Sequence, residues 1–325
     1  MNILFCYVLS RRELNNPFNS LLIALAVIDS IFLIGLILES FRFPFKLTSN
    51  QHTFLFTQFL TPVRHAMLYS SIFLTLAISV ERYHAVTRPI RMHLKLKHKK
   101  RANLKIVVTY VIPVLTFSLM FTIPKFFETE TSYDEKTGDY YISATELRTN
   151  QDYIIYYIGL ARFIVTGIIP FSMILFFNLR TYRTIQSRKK HELTKQGDDQ
   201  PSKTKLHANN TTAEKSLILR THLESEETRK ASENKLSMIF FAISLLFLVC
   251  HSPRFILGFY KVISRRDWVA CQNAGYVGHP IWALILSWTS HILLALNSSL
   301  NSAIYCVFSS KYREQARKAF ALLLK

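Results

Sequence analysis

From Ala66 to Val80 the chain carries no charged side chain, and it then turns abruptly into Glu81-Arg82-Tyr83 and a basic tract of Arg88, Arg91, Lys95, Lys97, Lys99, Lys100 and Arg101. A charge-free run with ionised residues crowded at one end reads as the lower part of a membrane helix, because about 20 apolar residues cross a bilayer. Similar apolar runs occupy 14–38, 104–123, 153–184, 235–261 and 280–308, with the run around Ala66 extending over 59–86. A further apolar stretch, 2–9, is too short to span and ends at Ser10-Arg11-Arg12. The expected fold class is therefore an all-α membrane protein: a seven-transmembrane helix bundle, 1–325, with a truncated first helix. If Arg11 and Arg12 are cytoplasmic, Met1 lies within the bilayer, so the outer half of that helix and an extracellular tail are expected upstream.

Composition supports a membrane protein, with 50% hydrophobic residues, only 19% charged ones, 25 Phe and 15 Tyr in 325 residues. The net charge of +19 would ordinarily suggest a nucleic-acid partner. Here the cations are concentrated in particular loops between apolar runs, which is a membrane-topology signal and speaks against nucleic acid. The basic tract after Arg82 fixes the cytoplasmic side. The segment 125–152 is acidic, with Glu128, Glu130, Asp134, Glu135, Asp139, Glu146 and Asp152 against Lys125, Lys136 and Arg148, and belongs outside. Its interleaved Tyr133, Tyr140 and Tyr141 suit either a lid over a ligand or a solvated loop. Residues 186–234 are rich in Lys, Glu, Ser and Thr and read as a disordered third cytoplasmic loop. The sequons at Asn209 and Asn210 then lie away from the lumen. Residues 309–325 alternate Lys311, Arg313, Arg317 and Lys318 with Tyr312, Ala316, Phe320 and Leu323, the pattern of a helix lying on the inner leaflet with membrane lipid as its partner.

The few polar residues inside the spans carry the functional signal. A carboxylate in lipid is expensive, so Asp29 must face the bundle, where Ser71, Asn297 and Asn301 are available as partners. Arg64 and Arg82 are eighteen residues apart, about 27 Å along one helix face, with Ser71 between them. Asn297, Asn301 and Tyr305 form an i,i+4 stripe. Pro253, in Cys250-His251-Ser252-Pro253, frees backbone groups and offers either a static kink or a pivot between two packings.

In order along the chain, Asn2, Leu25-Ala26-Val27-Ile28-Asp29, Glu81-Arg82-Tyr83, Pro170, Pro253 and Asn301-Ser302-Ala303-Ile304-Tyr305 resemble the motifs of the rhodopsin-like, class A family of G-protein-coupled receptors. Several segments are similar to invertebrate FMRFamide-receptor-like neuropeptide receptors: Ser10-Arg11-Arg12-Glu13-Leu14 with Asn19, Leu147-Arg148-Thr149-Asn150, Thr166-Gly167-Ile168-Ile169-Pro170-Phe171, Cys250-His251-Ser252-Pro253-Arg254 and Asn297-Ser298-Ser299-Leu300-Asn301. The resemblance implies a cytoplasmic lock at Glu81, Arg82 and Tyr83, with Ile90 packing on a heterotrimeric G protein. It also implies activation through His251, Pro253, Asn301 and Tyr305, a sodium-binding polar core around Asp29 with Asn2, and arrestin as a second cytoplasmic partner. The chain departs from the family pattern at four places. Thr57 falls where the third-helix Cys of the outer disulfide is usual, the fourth-helix Trp is missing, His251 replaces the sixth-helix Trp, and Ser302 replaces the seventh-helix Pro.

The outer cavity is expected to be basic, built from Arg64, His65, Arg162, Arg254, Lys261 and His291, with Glu39 nearby. Glu39 either pairs with Arg64 or contacts a ligand. Such a site suits anionic or carbonyl-rich parts of an extracellular peptide through charge-assisted hydrogen bonds. Aminergic relatives have an Asp where Arg64 stands, and a retinal receptor would need a seventh-helix Lys, which 268–310 lacks. No metal-ligand cluster, cofactor motif or nucleophile with a placed base argues for an enzyme. A transporter or channel, the alternative membrane class, predicts internal repeats and paired acids along a path.

Overall fold

The computed structural model of the chain describes residues 2–11, 14, 17–42, 45, 49–87, 99–136, 138–198, 237–260, 263–264 and 280–323. Helix α1 is Asn2–Ser10 and α2 is Pro17–Arg42, which opens on a proline whose fixed φ suits a first turn. Helix α3 runs over Asn50–Thr87, with a π-helical stretch at Phe56–Leu60. Helix α4 is Lys99–Thr122, continuous through Pro113 and tightened at its end into a 3-10 turn, Ile123–Phe127. Helix α5 begins as π-helix at Tyr153–Ala161 and Ile164–Ile168 and continues as α-helix over Ile169–Asp198. Helices α6 (Ser237–Tyr260), α7 (Ile281–Phe308) and α8 (Ser310–Leu323) complete the bundle.

Helix α3 forms the axis, packed against α2, α4 and α5, while α2 also touches α1, α4 and α7. Its inward side is buried from Ala66 through Ser79 and on to Arg82, which accounts for the absence of charge over that stretch. The outer faces are apolar as well. On α7, Ile281, Ile285, Trp288, Ile292 and Leu296 recur every three or four residues and are all exposed, Trp288 by 72%. Water would penalise such a stripe, whereas hydrocarbon accommodates it. Six described helices are long and apolar enough to cross a membrane, and α1, at nine residues, is not among them. Phe5, Val8 and Leu9 of α1 are nonetheless buried against the bundle.

Between α4 and α5 the chain forms an antiparallel hairpin, β1 (Thr129–Asp134) with β2 (Asp139–Ala144), followed by one helical turn at Glu146–Thr149. Thr and Tyr favour extended backbone, and the reversal is closed where Asp134 Oδ1 accepts from Lys136 N at 3.0 Å and Gly138 takes φ +74°. Tyr133 and Tyr140 are register partners with ring centroids 4.9 Å apart. The segment read as either lid or solvated loop is thus an ordered two-stranded element.

Two boundaries differ from the sequence reading. Helix α3 starts at Asn50 instead of near 59, because Ser49 caps it, accepting from His52 N, so His52 lies within the helix. Helix α5 continues to Asp198, so 186–198 is helical where disorder was expected from 186. High charge does not preclude a helix that propagates from a packed apolar segment, since elongation is easier than nucleation. Residues 199–234, with Asn209 and Asn210, lie outside the described residues, as do Ile90 and Lys261.

Candidate functional site

At the middle of the bundle, Asp29 on α2 is fully buried and gathers three donors from two other helices. Ser71 Oγ on α3 donates to Oδ1 at 2.7 Å, Ser298 Oγ on α7 to the same oxygen at 3.3 Å, and Asn301 Nδ2 to Oδ2 at 3.1 Å. Asn2 Nδ2 donates to the Ser298 carbonyl at 2.9 Å, which ties α1 to the same point. The expected meeting of Asp29, Ser71, Asn301 and Asn2 is present. The place expected for Asn297 is taken by Ser298: Asn297 is buried, but its neighbour one residue on presents its hydroxyl to the carboxylate. The sequence read the stripe from i,i+4 spacing alone, and Ser298 meets Asn301 at the equally close i,i+3 spacing.

At the end of α3 expected to face the cytoplasm, Arg82 grips its neighbour Glu81 with two bonds, Nε to Oε2 at 2.6 Å and Nη2 to Oε1 at 2.8 Å. Both residues are buried, and the guanidinium lies 4.0 Å from the centroid of the Phe18 ring on α2. A desolvated cation–π contact is worth about 2 kcal/mol, comparable to a charge-assisted hydrogen bond. Phe18 in turn meets Phe240 of α6 edge-on at 6.0 Å. Phe18 therefore links Arg82 to α6, a role that a lone Phe in an apolar run did not reveal. Tyr83 packs on Phe177 of α5 at 5.5 Å. Tyr305 is buried among Phe5 and Tyr312, and its hydroxyl has no partner among the described residues.

Towards the opposite end lies a cavity of about 270 Å³. Arg64, His65, Arg162, Arg254 and His291 all line it, as expected, together with Tyr69 and with His251, whose ring stacks on Phe247 at 4.0 Å. Pro170 is also in the wall, and Pro253 immediately precedes Arg254. Glu39 is not in the lining. It pairs with Arg64 at 2.8 Å, so of its two alternatives the structure contains the ion pair. Gly35 lies close behind that pair, where a Cβ would meet the Arg64 side chain at 3.3 Å, a tight contact. The apolar wall is an aromatic seam between α5 and α6, in which Phe255 packs on Phe163 at 5.1 Å and on Phe171 at 5.4 Å. Gly258 admits Phe163, whose ring would lie 2.7 Å from a Cβ there.

Glu128 is the second acid of the site, and the sequence reading counted it only as one acid of an outer loop. It is buried and accepts from Lys125 at 2.7 Å, Arg148 at 2.6 Å, Tyr153 at 3.0 Å and also Arg162. Burial opposes its ionisation, but Lys125, Arg162 and Arg148 outweigh that and hold its pKa below the ordinary 4.5. The loop is joined to α3 as well, where Thr57 and Thr131 hydroxyls approach to 3.5 Å and Gln58 Nε2 donates to the Thr129 carbonyl at 3.4 Å.

Against known proteins, the family described as 7 transmembrane receptor (rhodopsin family) matches residues 1–309. The chain belongs to that family. Among relatives, this receptor is 24% identical to the FMRFamide receptor of Drosophila melanogaster over 326 residues, covering 96% of this chain but 49% of the relative. The chain thus spans about half the length of that protein. It is 32% identical to neuromedin-U receptor 2 of Mus musculus over 129 residues, 38% of this chain and 30% of the relative. Similarity also extends to the 5-hydroxytryptamine receptor 1D of Homo sapiens, at 22% identity over 96% of this chain and 81% of that one.

Proposed function

We propose that this receptor resides in the plasma membrane, binds an extracellular neuropeptide in the basic cavity, and passes binding to a heterotrimeric G protein by outward movement of α6. The single observation that supports this best is the cavity itself: among the described residues three arginines and three histidines line it, and no acid does. Peptide carbonyls and carboxylates match such donors, whereas a protonated amine does not, which disfavours an amine ligand despite the 5-hydroxytryptamine relative. The likeness to the FMRFamide and neuromedin-U receptors agrees with a peptide.

On this reading the ligand enters beneath the β1–β2 hairpin and its contacts bear on the α5–α6 aromatic seam. Phe32 and Ile72 in the cavity wall sit three residues beyond Asp29 and one beyond Ser71, so the polar hub lies directly along both helices from the ligand. Outward movement of α6 separates Phe240 from Phe18 and releases Arg82 towards the G protein and, subsequently, arrestin. Ligand energy enters only as differential affinity for the two arrangements. Reconstituted receptor with a library of synthetic neuropeptides and a panel of heterotrimeric G proteins tests the proposal. An active peptide should stimulate nucleotide exchange, and Arg82→Ala should reduce that exchange at least tenfold while peptide binding persists. Undiminished exchange in Arg82→Ala, or solute flux through receptor vesicles with no exchange, overturns it in favour of a transporter or channel.

A further inference from the structure

The three cavity arginines are not electrostatically equivalent. Arg64 is neutralised by Glu39 and Arg162 by Glu128, an acid that also serves Lys125 and Arg148. Arg254 lines the same cavity, and among the described residues no carboxylate pairs with it. A guanidinium does not shed its proton in a protein. Within a membrane bundle, an ionised group without a counter-charge is costly and marks a place where an opposite charge belongs.

We infer that Arg254 receives a carboxylate of the ligand, so that the cavity selects peptides presenting an acid there over the corresponding amides. This rests on the reading of the cavity as the ligand site. Three features converge on it. The fork of Arg254 offers two parallel donors to a carboxylate, which an amide satisfies only in part. The neighbouring charge is positive on balance, because one Glu128 carboxylate is shared by three cations. Phe163, Phe171 and Phe255 line the adjoining wall, so the carboxylate should be flanked by an aromatic or bulky apolar group. The volume of about 270 Å³ admits the tip of a peptide and not its whole length.

The carboxylate can come from a free C-terminus or from an acidic side chain, and three probes separate these sources. N-acetyl-phenylalanine carries a terminal carboxylate, its primary amide carries none, and N-acetyl-aspartyl-phenylalaninamide carries one on a side chain. Each is titrated at millimolar concentration against the purified full chain in detergent, with the melting temperature as readout and no G protein present. The expected result is stabilisation by one or both acids with at least about tenfold tighter apparent binding than the amide, the size of one charge-assisted contact. Arg254→Gln should abolish the preference and Arg254→Lys should retain part of it, which separates a lost charge from a lost fold. Equal response to acid and amide, a preference that survives Arg254→Gln, or no response to any probe overturns the inference. None of those outcomes bears on nucleotide exchange, so failure here is distinct from failure of the receptor reading.

Discussion

Glu128 shows how much one side chain carries at the hairpin end of this receptor. Its carboxylate joins the end of α4, through Lys125, to Arg148 beyond the hairpin and to Tyr153 and Arg162 on α5. Its pKa is held below 4.5, so the stabilisation it supplies is complete above that value and is lost as pH falls through the depressed one. The protection of the 129–144 amides, taken as exchange relative to the intrinsic rate at each pH, should therefore be flat from neutral pH down to 4.5 and should fall below it. Glu128→Gln should give fast exchange throughout with no acid step, at a cost of about 3 kcal/mol, the low end for breaking a buried ion pair because Arg148 reaches water. A hairpin that keeps its protection below pH 4.5 would show that Glu128 does not hold it. The same carboxylate illustrates what a linear sequence conceals. Arg162 was legible as a cavity cation because it interrupts an apolar run, but its partner is thirty-four residues away. Glu128 sits among six other acids that compete for the assignment.

At the scale of elements, the spans were legible because burial in lipid leaves one compositional signature, long charge-free runs bounded by cations. Where the signature fades, so does the reading. The first two turns of α3 contain Asn50, Gln51 and His52, which look like loop, and only the Ser49 cap reveals the helix. The hairpin was not read from the sequence, which offered only a lid or a solvated loop, and its docking depends on contacts over seventy residues apart. The Thr57 and Thr131 hydroxyls, 3.5 Å apart, join α3 to the hairpin. Paired substitution Thr57→Cys with Thr131→Cys should close a disulfide under oxidising conditions. The chain-entropy limit for that loop is roughly 4 kcal/mol, and less should be realised because the helices already restrain both ends. A rise in melting temperature that disappears on reduction is the expected result. Free thiols in the oxidised double variant would mean that α3 and β1 do not approach closely enough for disulfide geometry.

For the whole molecule, the Asp29 hub is the one described polar point that joins α2, α3 and α7 directly and reaches α1 through Asn2. Three donors converge on two oxygens, so replacing the carboxylate by an apolar group leaves all three without their acceptor. Each unsatisfied donor costs about 1–3 kcal/mol, and the serines recover part by turning to a carbonyl one helical turn back. Asp29→Leu should therefore lower stability by about 3 kcal/mol. Asp29→Asn should cost far less, for a reason visible in the structure. Asn301 Oδ1 is buried without a partner, and rotating the Asn301 amide would let that oxygen accept from the new carboxamide, whose own oxygen still serves Ser71 and Ser298. Melting of the two variants in detergent distinguishes a hub that binds the helices together from a carboxyl that is merely tolerated. If Asp29→Leu melts with the wild type, the helices are held by apolar packing alone, and the centre of the bundle cannot be the point through which the cavity and Arg82 are linked. If Asp29→Asn falls as far as Asp29→Leu, the formal charge and not the hydrogen-bond count is what the centre requires.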